Sequence, residues 1–419
     1  MKNVLKYIFA IISNILVLHI LSYLPVNAYD VENFVTYDNL LLSEKNESYH
    51  ILGLNDNLVT SVTIHSEFNN KPIFLSDDYH FEDCSNLKEI LVDLNNKEYS
   101  SIDGVLFDKT HEKLIKCPAG KKGDYVVPEE TKIICQYAFA ECQSLNTISL
   151  PESILSVGQS AFENCLNLEH ISGNIPINYY YPFQGCNNLK ALTISGKELY
   201  NFSFKSFNKL ESLIIKDTCY LSGLFIISNC SNLKQLILPT HDNLSAQGDF
   251  LETIIYIENC NSLEEITLPS YLKEFNIKNC HSLKKICIPE KSTNNCEIIN
   301  CPSLKSFIDY RTISSSAISI VNNISAPPED LVVYGYLGSG TDKFCKANHI
   351  NFQALGDVSG DLSINVIDVI LINKAILGKL KLTDNQNITA NINKNDKVDS
   401  SDSLMIMKYI VGLINSFDV

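Results

Sequence analysis

The sequence contains the stretch Cys142-Gln-Ser-Leu145-Asn-Thr-Ile148-Ser-Leu150-Pro151, and related stretches recur every 20 to 23 residues, with occasional longer insertions, between about 55 and 308. They share the pattern Leu-x-x-Leu/Ile-x-Leu/Ile, in which apolar and variable residues alternate. This alternation predicts a short strand with one face turned inward. Because one coil cannot bury its apolar edge alone, the repetition predicts a solenoid whose stacked coils share one core.

Nine coils carry the pattern clearly, and less regular coils lie near each end. A period of this length is typical of a leucine-rich-repeat solenoid built from short parallel strands. Besides the coil quoted above, the marked coils begin at Cys84, Cys165, Cys186, Phe207, Cys230, Cys260, Cys280 and Cys301.

The cysteines follow the same repeat. The chain has fourteen, which in a secreted protein would ordinarily suggest disulfides. Eight of them, however, hold the same place in their coils, and Phe207 fills that place in a ninth. Since a free cysteine behaves as a small buried apolar residue, we predict an inward ladder of thiols. A few disulfides are the alternative.

Specific phrases accompany the repeat. They are Tyr99-Ser-Ser-Ile-Asp103-Gly104-Val-Leu-Phe107, Val127-Pro128-Glu, Ala138-Phe139-Ala-Glu-Cys142 and its copy Ala161-Phe162-Glu-Asn-Cys165. Over about 55–355 the chain therefore resembles the BspA-type leucine-rich repeats of bacterial surface proteins, although the coils between 174 and 259 are degenerate. The resemblance implies a terminal cap near 333–352. We assign 29–355 to a capped solenoid, which offers an extended concave surface to a protein or glycan ligand.

Near the C-terminus, two twelve-residue segments that begin 34 residues apart place oxygen-bearing side chains at positions 1, 3, 5, 9 and 12. Position 7 can offer its backbone carbonyl. This spacing suits a hard cation that takes about six to eight oxygen ligands, and each segment runs into an apolar helix. The sequence therefore predicts two calcium ions, bound by Asp357, Ser359, Asp361, Ser363, Asn365 and Asp368 in the first loop and by Asn391, Asn393, Asn395, Lys397, Asp399 and Asp402 in the second.

The two loops depart from the usual pattern in different ways. Position 6, normally a glycine in a sharp turn, is Leu362 in the first loop and Asp396 in the second, so we expect backbone strain there. The first loop has three carboxylates at ligand positions and the second has two. Because calcium affinity follows ligand charge and site rigidity, the second site is predicted to be the weaker.

At these residues the sequence resembles a type I dockerin, a calcium-folded module that docks proteins onto the cohesin domains of a cellulosome scaffold. Position 12 is Asp, as in dockerins, and the entering helix of an EF-hand is expected to be missing, because only Leu355 and Gly356 precede the first loop. The resemblance implies an all-α dockerin over 356–419 with no linker before it. The whole chain is thus predicted to be α+β.

The resemblance also implies which residues contact the cohesin, namely loop positions 10 and 11 and the helices that follow. The first copy is apolar at positions 10 and 11, whereas the second has serines. We therefore expect one binding orientation in which the first helix dominates. The predicted contacts are Val366, Ile367, Ile370 and Lys374 in the first copy and Ser400, Ser401 and Lys408 in the second.

The N-terminus predicts secretion. Lys2 and Lys6 precede an apolar stretch over 7–24, and Val26-Asn27-Ala28 gives a cleavage site, so 1–28 is assigned to a signal peptide. A membrane anchor is the rival interpretation, but polar residues interrupt the stretch. After cleavage we expect no membrane span. The net charge is −15, and no basic stripe exists to meet nucleic acid.

No motif of a known catalytic site occurs in the chain. The nine histidines are scattered. Four cysteines lie neither at the repeat position nor in an apolar strand-like run, namely Cys117, Cys219, Cys296 and Cys345. A Cys–His pair that forms in the folded chain, with one of these cysteines as the nucleophile, is the remaining enzymatic alternative. The aromatic run 179–183 could stack on sugars, although packing is the simpler interpretation. We therefore expect a non-catalytic interaction protein, with an inhibitor or adhesin role as the alternative.

Overall fold

The computed structural model describes residues 34–76, 81, 84–173, 175–177, 182–196, 198–239, 253–269, 272–288, 296–311, 318–321, 327–328, 330–395 and 397–417. The predicted signal peptide lies outside these residues. Within them, no helix is long and apolar enough to cross a membrane.

The described chain begins with a small sheet that the repeat pattern does not predict. Strands β1, β2, β3, β6 and β5 pair in that order, and β4 pairs in parallel with β7, the strand of the predicted coil that begins at Cys84. A tight turn at Asp38 and Asn39, both in the left-handed region, joins the first two strands. These strands have their own apolar core. They are β1 (Phe34–Tyr37), β2 (Leu40–Lys45), β3 (Ser48–Leu54), β4 (Ser61–Ile64), β5 (Glu67–Phe68), β6 (Lys71–Leu75) and β7 (Glu89–Val92).

The solenoid follows, and short strands line its sides. Its strands are β8 (Tyr99–Ile102), β9 (Val105–Asp108), β10 (Lys113–Lys116), β11 (Lys122–Val126), β12 (Ile133–Ile134), β13 (Ser144–Ser149), β14 (Ser156–Val157), β15 (His170–Ser172), β16 (Ala191–Ile194), β17 (Glu198–Tyr200), β18 (Ser203–Lys205), β19 (Ser212–Ile215), β20 (Tyr220–Ser222), β21 (Leu224–Ser228), β22 (Gln235–Ile237), β23 (Thr253–Glu258), β24 (Glu265–Thr267), β25 (Leu272–Lys278), β26 (Lys285–Ile288), β27 (Cys296–Ile299), β28 (Ser306–Asp309) and β29 (Ile318–Val321).

Parallel pairing from coil to coil builds the solenoid's main sheets. One has the order β11-β13-β15-β16-β19-β22, and another has the order β18-β21-β23-β25-β27-β29. In the first, Ile148 pairs with Ile171 of the next coil, and both side chains are buried. Stacked phenylalanine rings, such as Phe139 on Phe162 at 5.4 Å between centroids, continue the same core. The predicted solenoid of short parallel strands is confirmed.

The repeat cysteines are buried, as predicted: seven lie inside this core, and Cys84 lies in the core of the N-terminal strands. The thiol of Cys165 lies 3.0 Å from the carbonyl oxygen of Phe139, and that of Cys186 lies 2.9 Å from Phe162 O. Phe207, which takes the cysteine place in its coil, is also buried. The buried repeat cysteines are Cys84, Cys142, Cys165, Cys186, Cys230, Cys260, Cys280 and Cys301.

The chain ends in a cap and three further helices. Strands β30 and β31 extend a sheet of order β24-β26-β28-β30-β31, and a helix connects them. These elements are β30 (Val332–Gly335), α1 (Gly340–Asn348), β31 (Asn351–Ala354), α2 (Val366–Ile376), α3 (Asp384–Ala390) and α4 (Ser400–Ile410). The predicted α+β composition, with helices gathered after the solenoid, is therefore confirmed.

The helical region packs directly against the last coils. One apolar cluster joins Tyr310 and Tyr336 of the solenoid to Ile392, Ile406 and Phe417 of the helical region. The ring centroids of Tyr336 and Phe417 are 6.0 Å apart. The last coils and the helices thus share one apolar cluster, and no extended spacer separates them in the described segment 330–395.

Candidate calcium loops and partner-binding helices

The carboxylates at position 12 close the two loops in the same way. Asp368 Oδ1 accepts from the backbone N–H groups of Val358 and Ser359 at 2.9 and 2.8 Å. Asp402 Oδ1 accepts from those of Ile392 and Asn393 at 2.8 and 3.0 Å. Both aspartates are fully buried. A buried carboxylate is costly unless a cation or several donors compensate it, so each loop is built around a buried negative charge.

The same two aspartates also cap the helices that leave the loops. Asp368 Oδ2 accepts from the N–H of Asn365, the N-cap of α2, and Asp402 Oδ2 accepts from the N–H of Asp399, the N-cap of α4. Both helices therefore begin with a capping box. Position 12 couples the conformation of each loop to the start of its helix.

The first loop curls around the side chain of Asp357. Asp357 Oδ1 accepts from the N–H of Gly360 at 2.7 Å, and Oδ2 accepts from the N–H of Leu362 at 2.7 Å. Asn365 donates through Nδ2 to Asp361 Oδ2 at 3.2 Å. Leu362 at position 6 has a φ of 65°, so the strain predicted there is confirmed.

The second loop is built mainly from amides. Asn393 Oδ1 accepts from the N–H of Asn395 at 3.1 Å, and Asn395 Oδ1 accepts from that of Lys397 at 3.0 Å. Asn395 Nδ2 donates to Asp399 Oδ2 at 3.2 Å. Hydrogen bonding from the Ser401 hydroxyl, above all, holds the pKa of Asp399 below its usual value. Position 6 of this loop, Asp396, lies outside the described residues, as does the strain predicted for it.

The donor chemistry of both loops fits a hard cation. At position 1 of the second loop, where a ligand oxygen is expected, Asn391 Oδ1 is buried. It has no hydrogen-bond partner among the described residues. No group of three or more His, Cys, Asp or Glu side chains in the described part of the chain is gathered closely enough to hold a metal. A cation would therefore also need the amide, hydroxyl and backbone oxygens, as calcium loops provide.

The residues predicted to contact a partner are all at least partly open to solvent. Val366, Ile367 and Ile370 on α2 are 52%, 49% and 44% exposed. The remaining four, Lys374, Ser400, Ser401 and Lys408, are exposed as well.

The solvent-exposed side of α4 is less polar than the serines at positions 10 and 11 of its loop suggested. Leu404 and Val411, which correspond to Ile370 and Leu377 of the first copy, are 54% and 59% exposed. The two copies therefore differ mainly at positions 10 and 11. Further along, both helices present apolar side chains to solvent.

One sequence expectation about these loops is wrong. The first loop has no entering helix, as predicted, but α3 runs directly into the second loop: it ends at Ala390, and its C-cap residue Asn391 is position 1 of the loop. The cause is a capping box in which Thr383 Oγ1 accepts from the N–H of Gln386 and Gln386 Oε1 accepts from the N–H of Thr383. The Thr-x-x-Gln pattern that signals this helix is present in the sequence.

The structure does not support a reactive role for the other candidate residues. The leftover cysteines Cys117, Cys219, Cys296 and Cys345 are all buried. Of the aromatic run 179–183, residues 179–181 lie outside the described part of the chain, and Phe183 is buried against Phe162.

Comparison with known proteins finds a family match within each part of the chain. Residues 121–234 and 174–256 match the BspA type leucine-rich-repeat region in six copies, and residues 355–411 match the dockerin type I domain. The solenoid strands continue beyond the matched repeats as far as β31.

Individual relatives resemble only parts of the chain. Leucine-rich repeat-containing G-protein coupled receptor 4 of Xenopus tropicalis is 30% identical over 122 residues, which are 28% of this chain and 13% of the receptor. The pneumococcal vaccine antigen PcpA is 20% identical, with a TM-score of 0.27, over 71% of this chain and 56% of its own. A leucine-rich repeat protein of Eubacterium ventriosum is also 20% identical, with a TM-score of 0.32, over 65% and 61%. The chain thus spans less than two thirds of each of these proteins.

Proposed function

We propose that this chain, in which BspA-type leucine-rich repeats precede a type I dockerin, is a secreted, non-catalytic interaction protein of a cellulosome-type complex. In this proposal, residues 1–28 are a cleaved signal peptide, 29–355 form the capped solenoid and 356–419 form the dockerin. The dockerin docks onto a scaffold cohesin, and the solenoid binds a protein or glycan ligand. The complex acts in polysaccharide breakdown.

The observation that carries the proposal is the pair of matching loop-and-helix units. In each, a buried position-12 aspartate bonds both the start of its loop and the N-cap of its helix. Type I dockerins bind calcium. A bound cation would neutralise the buried carboxylate and tie the loop together. The helix that follows is thereby held in position for docking.

Each loop is assigned one calcium ion. The side-chain ligands of the first are Asp357, Ser359, Asp361, Asn365 and Asp368, with the carbonyl of Ser363; those of the second are Asn391, Asn393, Asn395, Asp399 and Asp402, with the carbonyl of Lys397. The buried, unpartnered oxygen of Asn391 supports the second assignment among the described residues. The cohesin contacts are those of α2, α4 and loop positions 10 and 11.

An enzymatic role for the solenoid is less well supported. Burial holds the pKa of the Cys117 thiol well above its usual value, and raises that of Cys219 to about 11 and that of Cys345 to about 12. The reactive form of cysteine is the thiolate, and such pKa values keep these thiols protonated at neutral pH. An inhibitor or adhesin role remains compatible with a solenoid that binds a macromolecule.

The first prediction tests docking itself. The full-length chain should bind an immobilised cohesin fragment in millimolar calcium and lose binding in excess chelator. Asp368→Asn combined with Asp402→Asn should abolish binding, because both loop closures depend on these carboxylates. Glu169→Gln with Glu211→Gln, on the exposed side of the solenoid, is the matched control and should bind normally. Binding that persists in chelator would contradict the proposal.

A further inference from the structure

The two calcium loops have the same backbone conformation at position 4 but different residues there. Position 4 of each loop lies in the left-handed region: Gly360 has a φ of 78° in the first loop, and Lys394 has a φ of 63° in the second. Glycine adopts this conformation freely, whereas a lysine does so only when its surroundings hold it there.

The solenoid supplies a contact to this strained residue. The Nζ atom of Lys394 lies 5.2 Å from the ring centroid of Tyr310, within the range of a cation–π interaction. Tyr310 directly follows β28 and is 8% exposed, and it belongs to the same apolar cluster as Ile392, position 2 of the loop. The last coils therefore contact the second loop at position 4 and share an apolar cluster with its position 2.

A buried ion pair fixes the orientation of Tyr310. Arg311 donates from its backbone N and from Nε to Asp309 Oδ1 at 3.0 and 2.8 Å, and from Nη2 to Asp309 Oδ2 at 2.8 Å. Side chains of an extended chain alternate between its two faces. With Asp309 and Arg311 locked on the inner face, Tyr310 is directed towards the helical region.

We infer that Tyr310 is a positioning residue for the second calcium loop, which it supports by holding Lys394 in the left-handed conformation. The inference rests on the proposed calcium role of the loops. The second loop has fewer carboxylates than the first, so its affinity depends more on rigidity. The solenoid supplies that rigidity and so strengthens the weaker calcium site.

A double-mutant cycle on the full-length chain tests the inference. Calcium binding is measured by titration calorimetry for the parent, Tyr310→Leu, Lys394→Gly and the double variant. Tyr310→Leu should weaken one of the two sites by about three- to tenfold and leave the other unchanged. In the Lys394→Gly background the same substitution should change neither site by more than about twofold, since glycine needs no external support.

Two variants guard against trivial explanations. Tyr310→Phe keeps the aromatic face and should bind calcium as the parent does, whereas a role of the phenol hydroxyl group would weaken calcium binding in this variant. Tyr256→Leu removes an exposed tyrosine of β23 and should have no effect. An equal loss from Tyr310→Leu in both backgrounds, or no loss in either, overturns the inference. If the parent binds no calcium, the proposed function itself fails.

Discussion

At the scale of single residues, burial sets the chemistry of the cysteines. Sequence alone placed eight of them in the core, because a position filled by cysteine in most coils and by Phe207 in another behaves as an apolar position. Some of their thiols donate to carbonyl oxygens of the preceding coil, as Cys186 does to Phe162, and others donate to a carbonyl two residues earlier, as Cys280 does to Lys278. Burial also raises the pKa of the leftover thiols Cys219 and Cys345. That the chain needs no disulfides stays a prediction for mass spectrometry of the natively produced protein.

These pKa values predict how stability depends on pH. A thiol in the unfolded chain has a pKa of about 8.5. In the folded chain the pKa is about 11 for Cys219 and about 12 for Cys345. Between those values the unfolded state releases protons that the folded state retains, so stability falls as the pH rises. With reductant present, the urea midpoint should hold steady up to roughly pH 8 and decline above it.

The control for this prediction removes the two thiols. Cys219→Val combined with Cys345→Val should flatten part of the alkaline decline, because valine does not titrate. The comparison is the slope of the unfolding midpoint between pH 8.5 and 10.5 in parent and variant. Equal slopes would show that other groups, such as tyrosines, cause the decline.

At the scale of elements, local patterns were predictable and contacts between distant segments were not. The repeat predicted the strands, and the loop spacing predicted that each loop runs into a helix, because each signal lies within a few residues. Helix α3 was missed although Thr383 and Gln386 carry its signal. Tyr310 and Tyr334 resemble ordinary coil residues in the sequence, since their partners come from the helical region: Tyr334 donates to Asn385 Oδ1 at 2.7 Å.

The difference between the two helix faces yields a prediction about docking. Val366→Asp with Ile367→Asp should weaken cohesin binding by more than tenfold, because it puts charges among the exposed apolar side chains of α2. Ser400→Asp with Ser401→Asp makes the matched change on α4 and should weaken it less. Surface-binding measurements in calcium give both affinities. Equal losses, or a larger loss from the serine pair, would show that the first helix does not dominate.

At the scale of the whole molecule, the dockerin is fixed to the solenoid by a shared core. Tyr336 and Phe417 stack across the junction, and the N–H of Leu355 bonds Gly335 O at 2.8 Å just before the first loop. A dockerin held in this way presents the solenoid to its surroundings in one orientation. The arrangement differs from that expected of a flexible linker, which would let the two parts move independently.

Calcium removal should therefore act locally first and spread through the junction. In hydrogen exchange on the full-length chain, chelator should strip protection from 357–417, because the buried carboxylates lose their cation. Protection should weaken slightly at 306–311 and 332–336, which touch the helices, and stay unchanged in β13–β19. Asp357→Ala with Asp368→Ala should cost more protection in calcium than Asn391→Ala with Asp402→Ala, since the first loop has the larger ligand charge. If hydrogen exchange over 357–417 is the same with and without calcium, the module is not folded by calcium. If protection is lost throughout the solenoid, its coils do not fold independently of the loops.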